Sequence, residues 1–434
     1  MDNSSTDNLF IPEANLPRVI IIGGGFAGIE FSKRLSHEKF QLVMLDKHNY
    51  HTFQPLLYQV ATSGLEPDSI SMPLRKIFAH RKNSYFRLCE VMSVDTQKKT
   101  LQTNIGMLSY DYLVIATGSS TNYFGMENIM KYAMPMKTVP EALDLRSLIL
   151  QNMEQAVLTE DKKIKQNYLD FVIVGGGPTG VELAGALSEL KNNVLPNDYS
   201  EIDFRLMQIH LVEMGPRLLA GMSEKASEKA QEFLEKFGVK IWLSVSVTDY
   251  DKLEVKLSNG GTLFSKTLIW TGGVRGMTIE GLPPAIIVKG NRIHVDAFNK
   301  VAGTENIFAV GDVAAMMTKE NPQPYPMVAQ VAIQQGKLLA KNLNGSLRGK
   351  PMMPFYYRDL GTLATIGRNR AVADFPFIRL QGRIAWFAWM FIHLMKLVGF
   401  RNRLVVFVNW MWSYINYDSA IRLIIRPFVR RNKN

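Results

Sequence analysis

Cysteine is almost missing from this chain of 434 residues, where Cys89 stands alone. Without a second thiol there is no disulfide framework, no CxxC redox pair and no cysteine-rich zinc site. Cys89 lies in a strand-like run from Tyr85 to Val91 and reads as a buried structural thiol. No uninterrupted apolar run reaches the roughly 20 residues that a membrane-crossing helix needs. The stretch up to Pro17 holds Asp2, Asp7 and Glu13, no basic residue and no apolar core, so no secretory or transit signal is expected. The chain is expected to stay where it is made, in a bacterial cytoplasm. Acidic residues are scarce at the other end. From Arg379 to Asn434 ten Arg and Lys face only Asp418, which places +9 of the chain's +11 there.

What remains is ordinary globular chemistry, 47% hydrophobic and 21% charged, in a length that accommodates two or three domains. Arg18 to Ile22 reads as a buried β-branched strand, followed by a glycine turn and an opening helix. Phe171 to Val174 begins the same pattern again, about 150 residues later. Strands ending at Asp46 and Glu213 follow the two turns. Tyr112 to Ile115 leads into Ala116-Thr117-Gly118, echoed by Thr267 to Trp270 and Thr271-Gly272-Gly273. A last strand runs from Asn306 to Gly311-Asp312, ahead of a helix expected from Met327 to Leu343.

Gly23, Gly25 and Gly28 form GxGxxG between strand and helix, the context in which that motif binds a dinucleotide. The first glycine permits the turn, the second admits a pyrophosphate, and the third lets the helix pack closely. Asp46 stands where a ribose hydroxyl is expected. Gly175, Gly177 and Gly180 repeat the motif. Glu213 follows Gly180 by thirty-three residues, and an insertion from Asn192 to Ser200 accounts for the excess. A carboxylate there accepts bonds from a 2′-hydroxyl and repels a 2′-phosphate, favouring NADH over NADPH. His48 and His51 read as hydrogen-bonded structural histidines. No metal-binding set is visible.

The segment Asn49-Tyr-His-Thr-Phe-Gln-Pro-Leu-Leu-Tyr-Gln-Val-Ala-Thr-Ser-Gly64 resembles the type II NADH dehydrogenases, single-subunit NADH:quinone oxidoreductases. So do Gly176 to Glu182 and Ala329 to Gln334, and the likeness runs from Arg18 to the C-terminus. It implies an α/β fold of two Rossmann-type domains, a two-dinucleotide flavoprotein, with a C-terminal membrane-associating helical segment. The expected boundaries are 16–133 with 291–378 for FAD, 134–290 for NADH and 379–434 for the tail. The resemblance assigns FAD to Gly23, Gly25, Gly28, Asp46, Thr117, Gly118, Gly311, Asp312, Ala329 and Gln330. It assigns NADH to Gly175, Gly177, Gly180 and Glu213, and quinone to Gln330 and Gln334. Glu182 is the candidate catalytic residue, relaying protons or positioning substrate. The alternative for it is a first-turn carboxylate stabilised by the helix dipole.

The tail holds Trp386, Trp389, Trp410 and Trp412 in two apolar stretches, Ile384 to Met395 and Leu404 to Tyr417. Asn409, Ser413 and Asn416 form one polar stripe. With the flanking basic residues this reads as two interfacial helices on an anionic lipid surface, or as an intramolecular or homodimer interface made from the same faces. Nucleic acid does not suit such aliphatic company. The expected activity moves a hydride from NADH to FAD and then two electrons to a membrane quinone, without ion pumping, at the cytoplasmic face. A single cysteine argues against sulfide:quinone and disulfide reductases. A reductase with a soluble protein acceptor and a non-catalytic redox sensor remain as alternatives.

Overall fold

The computed structural model describes residues 9–318, 322–416 and 421–430. Expectations resting on Asp2, Asp7, Tyr417, Asp418, Arg431 and Lys433 lie outside the described residues. The chain forms two units. The first joins Met1–His51, Met72–Ser120 and Val274–Asp359, and the second joins Thr52–Ser71, Thr121–Gly273 and Leu360–Asn434.

In the first unit five parallel strands are ordered Ile307–Ala309, Tyr112–Ile115, Arg18–Ile22, Gln41–Asp46 and Ser84–Leu88. Successive residues of a strand point to opposite faces. Ile20, Ile22, Val43, Leu45, Leu113 and Ile115 therefore fill one core cluster. Val19, Ile21, Leu42, Met44 and Val114 fill another, with Ala27 and Phe31 of the Phe26–Arg34 helix and Leu339 of the Ala329–Ser346 helix. A sheet buried on both faces explains why these strands lack alternation in sequence. Cys89 lies just past the last strand, buried, and burial pushes its thiol up to about 11.

The second unit repeats the architecture. Its parallel order is Met134–Pro135, Thr267–Trp270, Phe171–Val174, Ile209–Glu213 and Val239–Leu243. In both sheets the strand leading into the glycine turn is central. Behind the second turn the helix Pro178–Glu189 runs on through a π-helical turn, Leu190–Val194, into Leu195–Asp198. The residues expected as an insertion after the helix are thus mostly its continuation.

The units differ from the expected boundaries in four places. Residues 52–71, expected in the FAD domain, lie in the second unit, where the helix Leu57–Ala61 packs on the Pro178–Glu189 helix. Residues 121–133 lie in the second unit because Tyr123, Met126, Ile129 and Ala133 join the Val172, Val174 and Trp270 core. Residues 274–290 lie in the first, where Ile279, Leu282 and Ile286 complete its core. Residues 360–378 lie in the second because the strand Thr362–Gly367 packs on the Pro178–Glu189 helix. Gly185 makes that packing possible, since a Cβ there would stand 2.2 Å from the Ile366 carbonyl oxygen. A helix-interior glycine costs about 1 kcal/mol against alanine, and here close approach is what it allows.

The tail forms the helices Gly382–Lys396 and Phe400–Asn416, neither long and apolar enough to cross a membrane. The tryptophans do not all face outward, as the interfacial reading expected. Trp389 is 2% exposed and lies against Trp410, whose indole N–H donates to Gln59 Oε1 at 2.8 Å. Trp386 stacks on Tyr414, and Trp412 alone of the four is strongly exposed. Asn409 and Ser413 of the polar stripe turn inward too, while Asn416 stays exposed. Asn409 donates to Glu66 and Arg368 to the Ser413 carbonyl. The exposed face is instead Ile384, Phe387, Phe391 and Met395, continued by Phe400, Leu404, Phe407, Met411 and Ile415. Arg422 and Arg426 pair with Asp198 and Asp144 within the unit, so part of the tail's charge is neutralised locally.

Candidate functional site

Each unit carries one glycine turn at the carboxyl end of its central strand. Gly23 has φ +109° and Gly175 +107°, a region side-chain-bearing residues rarely adopt. A Cβ on Gly28 or Gly180 would lie 1.9 Å from the carbonyl oxygen of Gly23 or Gly175, so those glycines let each helix close onto its own turn. Gly25 and Gly177 differ. They are the N-caps of their helices, and nothing lies within 4 Å of an added Cβ on either. Neither helix end has a side-chain cap. The first-turn N–H groups therefore face open space, as phosphate binding at a helix N-terminus requires.

The strand-end carboxylates are held the same way in both units. Asp46 accepts from the N–H groups of Gly24 (2.6 Å) and His48 (2.7 Å). Glu213 accepts from Gly176 (2.5 Å) and Gly215 (2.6 Å). Each carboxylate is thus fixed against its turn and retains lone pairs to accept a hydroxyl. His51 is buried beside the first turn, with Nδ1 3.1 Å from the Gly24 carbonyl. Burial pushes its pKa down to about 4, so the ring is neutral at pH 7. His51 is hydrogen-bonded as expected, and its buried Nε2 has no partner within the protein. An uncapped helix, open space at Gly25 and an orphaned ring nitrogen together fit a bound dinucleotide.

The remaining first-unit candidates surround that turn's sheet. Thr117 donates to the Met277 carbonyl, and Gly118 has open space where a Cβ would be. Gly311 approaches Ala27 and Ala332, and its N–H donates to Gln335 Oε1 at 2.7 Å. Asp312 accepts from the Ser119 hydroxyl. Ala329 and Gln330 open the long helix, which starts two residues later than expected and ends at Ser346. Gln334 spends both ends of its amide on Arg358, donating to its carbonyl at 2.8 Å and accepting from its N–H at 3.0 Å. Gln335, fully buried, holds Gly311 in place and carried no signal in the sequence beyond its helical position.

Glu182 is the fifth residue of its helix, past the first turn, so the helix-dipole alternative does not hold. Its carboxylate is buried, with the Thr365 N–H at 3.4 Å from Oε1. The Trp389 indole N–H lies beside it without meeting hydrogen-bond geometry, and is itself buried and unpartnered. Burial, only partly offset by the Thr365 N–H and the nearby indole dipole, pushes Glu182 up to about 8. It is therefore mostly protonated at pH 7, unlike a surface glutamate. It lines a cavity within the second unit together with Tyr58, Gln59, Glu189, Arg368 and Trp389. None of Tyr58, Thr365 or Trp389 was a candidate from sequence. Three separate segments bring them together, and no local pattern announces that.

His210 is structural. Trp242 Nε1 donates to His210 Nδ1 at 3.1 Å, and burial holds His210 at about 4. Among the described residues no group of His, Cys, Asp and Glu is arranged to hold a metal.

Comparison with known proteins agrees with this architecture. Residues 17–336 match the family model described as pyridine nucleotide-disulphide oxidoreductase, and residues 360–416 match the NDH2 C-terminal domain. Two relatives are the type II NADH:quinone oxidoreductases Ndh and NdhA of Mycobacterium tuberculosis. Ndh is 32% identical over 423 residues, covering 93% of this chain and 90% of the relative. NdhA is 34% identical over 415 residues, covering 92% and 87%. Among solved structures, NDH2 from Plasmodium falciparum in complex with NADH superposes with a TM-score of 0.88, covering 94% of this chain and 100% of that one. Its 23% identity speaks for the fold alone.

Proposed function

This chain belongs to the type II NADH:quinone oxidoreductases, and from that premise we propose which of its residues carry each part of the reaction. The activity is NADH + H⁺ + quinone → NAD⁺ + quinol, with FAD as cofactor. FAD, when bound, would supply the redox chemistry that couples hydride removal from NADH to two-electron reduction of the quinone. The observation that carries the assignment of residues is the duplicated site. Two uncapped helix N-termini each face open space at the second glycine of the turn, and each has a strand-end carboxylate tied to that turn.

Gly23, Gly25, Gly28 and Asp46 would hold the FAD pyrophosphate and ribose. Thr117, Gly118, Gly311, Asp312, Ala329 and Gln330 complete that site. Gly175, Gly177 and Gly180 bind the NADH pyrophosphate. Glu213 accepts the ribose hydroxyls and disfavours NADPH. Gln330 borders the quinone. Gln334 supports that border by fixing Arg358 rather than by reaching out, since its amide is occupied. Glu182 delivers a proton to the reacting quinone, a role suited to a carboxyl that keeps its proton at neutral pH.

The chain sits peripherally on the cytoplasmic face of a bacterial membrane, where NADH is available. Its uncovered apolar faces on the two tail helices enter the headgroup region. Basic residues of the tail supplement this by attracting anionic lipid. A homodimer formed through the same faces is the competing occupant.

The test is steady-state NADH oxidation with a quinone analogue against a soluble ferredoxin or cytochrome as acceptor. Turnover with quinone and little with the proteins supports the assignment. The reverse preference would mark a soluble-acceptor reductase, and no turnover with any acceptor would mark a redox sensor.

A further inference from the structure

Tyr58 lies on the short helix Leu57–Ala61, which packs on the Pro178–Glu189 helix within the second unit. Its hydroxyl oxygen accepts from Gln59 Nε2 at 2.9 Å, while Gln59 Oε1 accepts from Trp410. These bonds fix the phenol and leave its own O–H to donate. Two carboxylates line the same cavity, Glu182 and Glu189. They are seven residues apart on one helix, so about 10 Å along its axis. Burial first, then Glu182 and less strongly Glu189, hold the Tyr58 pKa well above its ordinary value.

The two ends of the cavity differ. Glu182 is enclosed by Thr365 and by Trp389, whose buried indole N–H has no partner. Glu189 is the half-buried end, beside exposed Asn193, and accepts from the Arg368 N–H. The cavity encloses about 130 Å³, room for several waters among polar groups.

We propose that Glu189, Tyr58 and Glu182 form a relay that carries the one solvent proton consumed in each turnover. This rests on the reading of Glu182 as the proton donor to quinone. A water proton binds the Glu189 carboxylate. Glu189 then passes its proton toward the Tyr58 oxygen, through water where the gap requires it, as Tyr58 passes its own to the Glu182 carboxylate. One proton moves from Glu189 to Glu182, and the phenol ends as it began. Burial raises the pKa of Glu189, partly offset by the Arg368 N–H and by the charges of Arg368 and Arg370, which helps the carboxyl take up a proton. His393, stacked on Trp389 and held neutral at pH 7 by burial, adds no charge.

The experiment uses full-length, flavin-loaded protein carrying Tyr58→Phe, Glu189→Gln or Glu182→Gln, with the two half-reactions separated by stopped flow. Loss of a proton-transfer group slows its step by roughly 100-fold or more, so the quinone-dependent half should slow to that extent. Reduction by NADH should stay within about two-fold, because Tyr58 and Glu189 have no part in it. The Tyr58→Phe, Glu189→Gln double variant should be no slower than the slower single, as for groups acting in series. Glu189→Asp should recover part of the rate. A second readout needs no turnover: the protonated-carboxyl infrared band lost in Glu182→Gln should shift in Tyr58→Phe. If Glu182→Gln slows quinone reduction while Tyr58→Phe and Glu189→Gln leave both rate and band unchanged, the relay is wrong and Glu182 remains the donor. If Glu182→Gln itself reacts at the wild-type rate, the donor reading and the relay fall together.

Discussion

Replacing Glu182 by glutamine probes how burial sets the protonation of this site, apart from any role in turnover. An acid raised from 4.5 to about 8 holds its proton more tightly in the folded chain than in the unfolded one. Stability is then greatest at low pH. It falls as pH rises past 4.5, where the unfolded group ionises, and levels off above about 8, where the folded one does. Linkage puts the penalty at about 1 kcal/mol at pH 5, about 3 at pH 7 and about 5 at pH 9. Glutamine keeps the shape and cannot ionise, so it escapes that penalty. Unfolding entropy is about 2 cal/mol/K per residue, or roughly 0.9 kcal/mol/K for 434 residues. Glu182→Gln should therefore melt above the wild type by a margin that grows from about 1 °C at pH 5 to about 5 °C at pH 9. The assay is scanning calorimetry across that range at matched flavin content. A constant margin from pH 5 to pH 9 would refute a raised, burial-controlled Glu182.

Gly25→Val should fold and lose flavin, because its Cβ meets no protein atom within 4 Å and stands in the phosphate space, whereas Gly28→Val should fail to fold because its Cβ would strike the Gly23 carbonyl; flavin absorbance beside circular dichroism checks both. Glu213→Ala should raise the KM for NADH and narrow its preference over NADPH by roughly ten-fold, the worth of about 1.4 kcal/mol of lost ribose bonding and phosphate repulsion; an unchanged ratio of the two kcat/KM values removes Glu213 from the site. Gln330→Ala should slow reoxidation by quinone more than reduction by NADH, and equal effects in stopped flow count against its bordering the quinone. Phe387→Ser, Phe391→Ser and Ile415→Ser, made together on the exposed faces of the tail, should weaken liposome flotation and turnover with long-chain quinone while sparing a short soluble analogue. Sedimentation that moves from dimer to monomer, with flotation unchanged, would instead assign those faces to self-association.

The nucleotide turns were legible because their chemistry is local. Glycine spacing, the preceding β-branched strand and a strand-end carboxylate all lie within a few dozen residues, and each corresponds to a turn with the geometry the pattern implies. Thr365 and Trp389 were not legible, because they reach Glu182 from segments about 180 and 200 residues away. The tail was half legible. Its helices follow from periodicity and from the absence of acids. Its inward face does not, because both sides of Gly382–Lys396 are apolar and tryptophan suits a packed core as well as a lipid interface. Glu66 and Arg368 decide the matter for Phe400–Asn416, the first by accepting from Asn409 and the second by donating to the Ser413 carbonyl, which turns that part of the polar stripe toward the protein. Removing the whole tail would therefore test packing more than lipid binding, since it also deletes Trp389 and the strand Arg379–Gln381 paired with Arg370–Asp374. The boundary at 360–378 was hidden for a related reason. Gly185 invites a backbone to approach, and sequence gives no sign that the approaching backbone is Ile366.

The most direct test of the account is an anaerobic titration of the yellow, full-length protein. One equivalent of NADH per chain should bleach the flavin absorbance. One equivalent of a quinone analogue, added next with oxygen absent, should restore it and yield one equivalent of quinol. Flavin that NADH does not bleach, or that only a soluble protein acceptor restores, would contradict the assignment of this chain as an NADH:quinone oxidoreductase.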